Sequence, residues 1–396
     1  MNAPYLLELL QQIFPYLPTF PRQNLLETVS NLPKCRRTSH RHVKLALSLI
    51  SYRTTGAKSY SHMRSQARLS YAAPPLKRNS TSPRRNHTAM LYRIRNQAAR
   101  TLFNFSCRRI LETPPLLVKD APLMICSMLC RRDLIMYLLA IKSLYIHLGE
   151  GRICIIDDGS LDDSCVRTLK HHLCEPEIIS IKHISTDSCP QGGCWERLLF
   201  VLDRSADHYV IQADSDILIR SAIPEVLSHY RENRSFTLGT PTGSAIKPAK
   251  ECADFAKTRT SSQIQLAAEA SLSRLPNAAF RNYVRGCAAF TGFAKNSMNR
   301  ADAINFSKTM QGLLGTRWAE WGSEQVTSNY LIANSPNSAI LPIHKYINYL
   351  PPFYTENSAL IHFLGEYRFQ HAAYLKEGRR QIKKMLGFYP STTSKA

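Results

Sequence analysis

Between Leu123 and Asp216, four apolar runs alternate with segments of helical period, and this alternation limits the possible folds more than any other feature of the 396 residues. The runs "LMICSML", "RICIID", "EIISIKHI" and "HYVIQAD" are expected strands. The intervening "RDLIMYLLAIKSLYIHL", "SCVRTLKHHL" and "WERLLFVLDRS" are expected helices. Strand–helix–strand repetition implies βαβ units and a mostly parallel sheet with both faces covered, a Rossmann-like α/β fold. Ligands of such sheets bind beyond the carboxyl ends of the strands.

Two of these strands stop on carboxylates, in "IIDDGS" (Ile155–Ser160) and "VIQADSDILI" (Val210–Ile219). Acids are poor strand formers and strongly hydrated, so they belong at the rim where strand ends meet solvent and ligand. The expectation is that the two strands run side by side in one direction, so that their carboxylates share one cleft. After Asp216 the pattern loosens into an α+β half. "RSFTLGT", "CAAFTGF" and "SAILPI" are expected strands there, and "SSQIQLAAEASLSRL" and "EQVTSNYLIAN" expected helices.

The net charge of +22 is concentrated at one end. Residues 1–115 hold 19 Lys and Arg against three acids, while the remainder holds 32 against 26. This gives a division into a basic, mainly helical and loop-rich region (1–115), a main domain (120–370, nucleotide-binding half 120–220 and acceptor half 221–370) and a basic C-terminal tail (371–396). "AAPPLKRNSTSPRRNHTAM" (72–90) has no periodicity and is expected to be a linker. The preferred reading of the basic region is a poorly ordered, solvated segment, because its cations are scattered and no nucleic-acid module is present; peripheral association with an anionic membrane is the alternative, and nucleic acid is not expected. Eleven cysteines without a C-x-x-C pair suggest reduced thiols rather than a disulfide framework or zinc site. The opening "MNAPYLLELLQQIFPYLP" lacks a basic n-region and a small-residue cleavage site, and a cytoplasmic location, peripheral at a membrane, is expected.

Several side chains carry candidate chemistry. Asp214 and Asp216, two apart after a strand, can approach one cation from the same side, and oxygen ligands suit Mg²⁺ or Mn²⁺ beside a diphosphate. An isolated Asp-x-Asp is also what a solvated turn looks like. Asp157 and Asp158 can accept hydrogen bonds from a nucleoside, with Gly159 allowing the turn and Ser160 capping the next helix. Arg197, at a helix start after two glycines, and Arg131 and Arg132 could meet a diphosphate, Arg197 being the best placed, although an arginine in any of these positions is more often a solvated surface residue. Glu324 opens a helix, where the dipole favours an acid and Ser323 can cap; it is also placed to act as a base toward an acceptor hydroxyl, with Gln325 sharing the contact. Trp321, beside Trp318, offers a sugar-stacking face, and Gly286 a close approach for acceptor.

Taken together, "CIIDDGSLDDS" and "IQADSDILI" resemble the first motif and the Asp-x-Asp metal motif of nucleotide-sugar-dependent glycosyltransferases of the GT-A fold. "WGSEQVTSNYLIAN", "ILPIHKYINYLPP" and "LIHFLGEYRF" then follow in the order of the retaining, galactosyltransferase-like branch. The resemblance implies a metal-dependent hexosyltransferase using a nucleotide-diphosphate sugar, a UDP-sugar favoured. It also implies that His362 joins Asp214 and Asp216 at the metal, which favours manganese. The acceptor, a glycan, lipid or protein, is left open. "EYRF" stands where that branch carries Lys-Pro-Trp, and the Asp-Asp-Gly-Ser motif is more typical of the inverting branch, so anomeric outcome is also open. A haloacid-dehalogenase nucleophile would need Asp-x-Asp-Gly. A nucleotidyltransferase would need a glycine-rich loop that "CSMLCRRD" lacks. The competing expectation is a non-catalytic GT-A-like protein whose basic region binds nucleic acid or membrane.

Overall fold

The computed structural model describes residues 83–351 and 357–387 of the chain. The elements are α1 (Pro83–Ser106), β1 (Leu123–Leu129), α2 (Leu134–Leu148), β2 (Arg152–Asp157), α3 (Asp163–Leu173), β3 (Glu177–Ser180), α4 (Trp195–Arg204), β4 (Tyr209–Ala213) and β5 (Ile217–Ile219). There follow α5 (Pro224–Arg231), β6 (Phe236–Leu238), β7 (Lys247–Pro248), α6 (Ala249–Lys257), α7 (Ile264–Ser271), β8 (Asn282–Tyr283) and β9 (Cys287–Phe293). The last are α8 (Arg300–Leu314), α9 (Ser323–Ala333), β10 (Ala339–Ile340), β11 (Tyr346–Asn348), β12 (Leu360–His362) and α10 (Ala373–Gly387).

Seven strands form the central sheet in the order β10-β6-β9-β4-β1-β2-β3. Every neighbouring pair is parallel except the two made by β9, which runs against β4 and β6. The alternation along the strands explains why the sheet is two-sided. Leu123, Ile125 and Leu129 of β1, with Ile153 and Ile155 of β2, face one apolar cluster with α2 and α10. Met124, Cys126, Cys154 and Ile156 face the other, with α4 and α6 to α9. Each fully buried aliphatic side chain in these layers contributes about 1.5–3 kcal/mol relative to exposure. Gly292 is required in β9, because a Cβ there would collide with the Phe236 ring and the Tyr209 hydroxyl.

Strand β2 does not lie beside β4, as the sequence suggests; β1 separates them, with Leu129 opposite Asp157 and Cys126 opposite Gln212. Direction and rim are nonetheless shared. Helix α2, following β1, packs on one face, while α4, preceding β4, packs on the other. The gap between β1 and β4 is therefore the switch point of the sheet, where a crevice is expected. A second, three-stranded sheet has the order β11-β12-β5.

Three boundaries differ from expectation. Residues 83–90 of the expected linker are helical, beginning with a proline whose fixed φ suits a first turn. The compact C-terminal unit takes in Phe103, Cys107 and Ile110, which sit in its core, so it starts before residue 115. The expected tail contains α10, whose Tyr374, Ile382 and Met385 are buried while its lysines and arginines face outward. The period of "AYLKEGRRQIKKMLG" is that of an amphipathic helix, hidden in the sequence by its many cations. The N-terminal unit comprises residues 1–71 and 79–102, and its described part is α1 up to Leu102; the helices expected before Pro83 lie outside the described residues. No described helix is long and apolar enough to cross a membrane.

Candidate functional site

The turn Asp214-Ser215-Asp216 occupies the seam between the two sheets. The Asp214 backbone N–H donates to Ala289 O of β9 at 2.8 Å, anchoring it to the large sheet. Two residues on, the chain enters β5, which pairs antiparallel with β12 so that Ile217 faces His362. Phe363 N–H donates to Asp216 O at 2.9 Å. The 146-residue separation of Asp216 and His362 is thus closed by strand register. Ligand atoms of Asp214, Asp216 and His362 lie within 4.8 Å of one another.

Each acid is also held by a guanidinium. Arg368 pairs with Oδ2 of Asp216, whose Oδ1 faces His362 Nε2 at 3.5 Å. Arg197 pairs with Oδ1 of Asp214. One carboxylate oxygen of each acid is thereby paired with an arginine, and the cluster as a whole offers carboxylate oxygens and one imidazole nitrogen. That donor set fits a divalent cation such as Mn²⁺ or Mg²⁺. Burial opposes ionisation of Asp216, but Arg368 and then His362 overcome it and hold the carboxyl well below its ordinary range. Asp214 is pushed up by burial and by the like charge of Asp216, against the pull of Arg197. For His362, burial disfavours the imidazolium, yet Cys287 and Asp216 outweigh it and hold the ring protonated well above its usual value.

Helices α4 and α9 bring a second pair of groups to the same rim. Their first turns are tied by Trp195 Nε1, which donates to Ser323 Oγ at 2.9 Å. Arg197 is buried rather than open to a ligand, and its second nitrogen, Nη2, lies 3.6 Å from Glu324 Oε1. That separation is too long for a hydrogen bond. Glu324 Oε1 has no hydrogen-bond partner, and neither does Arg197 Nε on the other side of the guanidinium. Burial, only partly offset by Arg197, pushes the Glu324 carboxyl up to about 7. Ser323 is not the helix cap: Gly322, with φ of 107°, holds that position and makes no side-chain cap. Gln325 Oε1 accepts from Ala288 N–H at 3.5 Å, beside the strand that anchors Asp214.

The remaining candidates separate. Asp157 and Asp158 stand at the rim one strand from the switch point, each with Oδ1 turned back into its own loop. Asp157 accepts from Gly159 N–H at 2.8 Å and Leu161 N–H at 3.2 Å, and Asp158 from Ser160 N–H at 3.0 Å. Asp162, not Ser160, caps α3. A cleft of about 690 Å³ beside them is lined by Arg131, Arg132, Asp158 and Ser160. Trp318 is core, donating to Ser307 at 2.9 Å, whereas Trp321 is 60% exposed next to the Gly192-Gly193 turn. The space at Gly286 is filled by the protein itself: a Cβ there would meet Thr237 and Asn329.

Sequence reasoning passed over Arg368 and Asn348. Arg368 lay in plain view in "EYRF", as the cation six residues after His362. Asn348, in "YINYLPP", is placed beside His362 only by the pairing of β11 with β12.

No known protein family profile matches the chain, and no curated protein matches it by sequence. Among solved structures it is similar to the bifunctional glycosyltransferase WbbM (12% identity, TM-score 0.40, 66% of this chain and 51% of that one). It is also similar to mouse xyloside xylosyltransferase 1 (10% identity, TM-score 0.37, 61% and 97%). A third is the galactosyltransferase LgtC, solved with donor and acceptor sugar analogues (10% identity, TM-score 0.40, 69% and 97%). The chain spans about half the length of WbbM. All three are glycosyltransferases. With every TM-score below 0.5, the chemistry of this chain is read from its own side chains.

Proposed function

We propose that the protein transfers a sugar, a hexose by preference, from a nucleotide-diphosphate donor to an acceptor hydroxyl, with a UDP-sugar as first choice. The carrying observation is the convergence of Asp214, Asp216 and His362 within 4.8 Å at the rim beside the β1/β4 switch point. Those three side chains would hold a divalent cation, which when bound supplies positive charge to neutralise a departing diphosphate. Arg368 and Arg197 add two fixed positive charges around the same acids. Preorganised charge of this kind opposes the negative charge that develops on the leaving group as the sugar becomes oxocarbenium-like. Glu324 is buried beside Arg197, its Oε1 makes no hydrogen bond, and its carboxyl is pushed up to about 7, which suits it to carry a proton near neutrality. That suits a base toward the acceptor in an inverting reaction; in a retaining one the same carboxylate positions the donor sugar. Gln325 lies beside it, and Trp321 at the exposed edge offers a stacking face for an acceptor. Asp157 and Asp158 border the nucleoside side of the rim.

The test is a panel of UDP- and GDP-sugars with Mn²⁺ or Mg²⁺, scored for donor hydrolysis and transfer, and calorimetry of nucleotide binding with and without metal. Donor turnover by the wild type and its loss in Asp214→Ala and Asp216→Ala supports the assignment. Absence of both turnover and metal-dependent nucleotide binding rejects it.

A further inference from the structure

The direction in which the His362 ring presents its nitrogens is set by a neighbouring amide. Parallel pairing of β11 with β12 places Asn348 directly opposite His362. The Asn348 Nδ2 donates to Gly239 O at 2.8 Å. A backbone carbonyl can only accept, so this contact fixes which end of the amide points away from it. The end left facing the ring is Oδ1, 2.7 Å from His362 Nδ1. An amide oxygen has no proton to give, so the short contact requires the proton on Nδ1. The second nitrogen, Nε2, is the one aimed at Asp216, 3.5 Å from Oδ1. Cys287 Sγ also lies 3.5 Å from Nδ1, but the amide oxygen is much nearer.

Resting on the metal reading of Asp214, Asp216 and His362, we propose that Asn348 is a positioning residue: it holds the proton of His362 on Nδ1 and so keeps the Nε2 lone pair turned toward the cation site. Asn348 itself touches neither cation nor substrate. With no cation the ring carries a proton on Nε2 as well; once a cation displaces that proton, the contribution of Asn348 is to keep the remaining one on Nδ1 and to stop the ring from flipping, because a flip would exchange the amide contact for a carbon. Gly239 is part of the same device, since without its carbonyl the amide could rotate and offer Nδ2 to the ring. Outer partners of metal-bound histidines typically change metal affinity by about 10–100-fold when removed.

The experiment is calorimetric titration of the full chain with Mn²⁺ alone, for wild type, Asn348→Ala and Asn348→Asp. Circular dichroism and thermal melts on the same samples report folding. Asn348→Ala should weaken Mn²⁺ binding by about 10–100-fold. Asn348→Asp, which keeps an acceptor opposite Nδ1, should recover most of the loss. A second readout is direct: a long-range ¹H–¹⁵N correlation spectrum of the wild type loaded with diamagnetic Zn²⁺ should show the His362 proton on Nδ1 and a metal-shifted Nε2. Wild-type affinity in folded Asn348→Ala overturns the assignment while leaving the metal site intact; a proton on Nε2 in the spectrum overturns the assignment and removes Nε2 of His362 from the site as well. If the alanine variant does not fold, the wild-type spectrum decides. If wild type binds neither ion, the metal reading falls and this assignment with it.

Discussion

Replacing Asp216 by asparagine tests both the charge balance of the site and its cost to the fold. The substitution keeps shape and removes one negative charge at a side chain only 6% exposed. Its two cationic neighbours respond differently. His362 can relieve itself by releasing a proton; Arg368 cannot, because a guanidinium stays charged at any accessible pH. Arg368 is 17% exposed, so its charge would be left largely desolvated. Removing one partner of a buried ion pair costs about 3–5 kcal/mol, and with the histidine relieved and the arginine partly wet the lower end, about 3 kcal/mol, is expected. For a folded unit of this size that is a fall in melting temperature of about 5 °C. The measurement is a thermal or urea melt in chelator, so that no bound ion contributes. Because the folded Asp216 carboxyl titrates below its unfolded value, the gap between wild type and variant should be full above about pH 4 and should close as pH falls further. Arg368→Met should cost a similar amount alone, and the double variant less than the sum, with a coupling of about 2 kcal/mol. An Asp216→Asn protein that melts with wild type in chelator, or a cycle that adds without coupling, refutes the account of a buried, mutually dependent pair.

Glu324→Gln should lower transfer by about 100-fold or more and remove a limb near pH 7 from the rate profile; an unchanged profile excludes Glu324 as the proton carrier. Its folded carboxyl titrates above the unfolded one, so wild-type stability should decline as pH rises from about 4.5 to 7, and this slope should be absent in the variant. Lys142 is buried with its ammonium shared between Thr113 Oγ1 at 2.8 Å, Pro114 O at 2.7 Å and His172 Nδ1 at 3.0 Å, and burial lowers it to about 8. The unfolded chain then binds more protons between pH 8 and 10, so unfolding free energy should rise across that interval by at most about 3 kcal/mol; flat urea midpoints would contradict this. Trp321→Ala should leave the melting temperature within about 1 °C, as expected of an exposed side chain, while raising the acceptor KM; unchanged kinetics would remove Trp321 from the acceptor site.

The parts of this protein that were legible in its sequence are those written in local pattern. The βαβ series from Leu123 to Ala213 follows from alternating period, and the rim position of Asp214 and Asp216 follows from where an apolar run stops. What escaped depends on pairing between distant segments. Nothing local distinguishes a sheet in which β2 neighbours β4 from one in which β1 lies between them. Strand-end acids are expected to add little to packing; Asp216 departs from that because β5 and β12 close over it and Arg368 arrives from the C-terminal side. Arg197 has the residue type and helix-start position of a phosphate ligand, but its neighbours Asp214 and Glu324 come from 17 and 127 residues away. The cations of α10 gave it the composition of a tail, although every third or fourth residue belongs to the core.

The seam at Ser215 makes the candidate cluster of Asp214, Asp216 and His362 a gauge of how the two sheets stand to each other. Asp214 travels with the large sheet through its bond to Ala289, whereas Asp216 and His362 travel with the small one. Any guest that grips both sides at once rivets the sheets together, and its binding energy becomes a brake on their relative motion. Amide protons of Tyr346 to Asn348 and Leu360 to His362 should then exchange with deuterated solvent more slowly when a cation is bound.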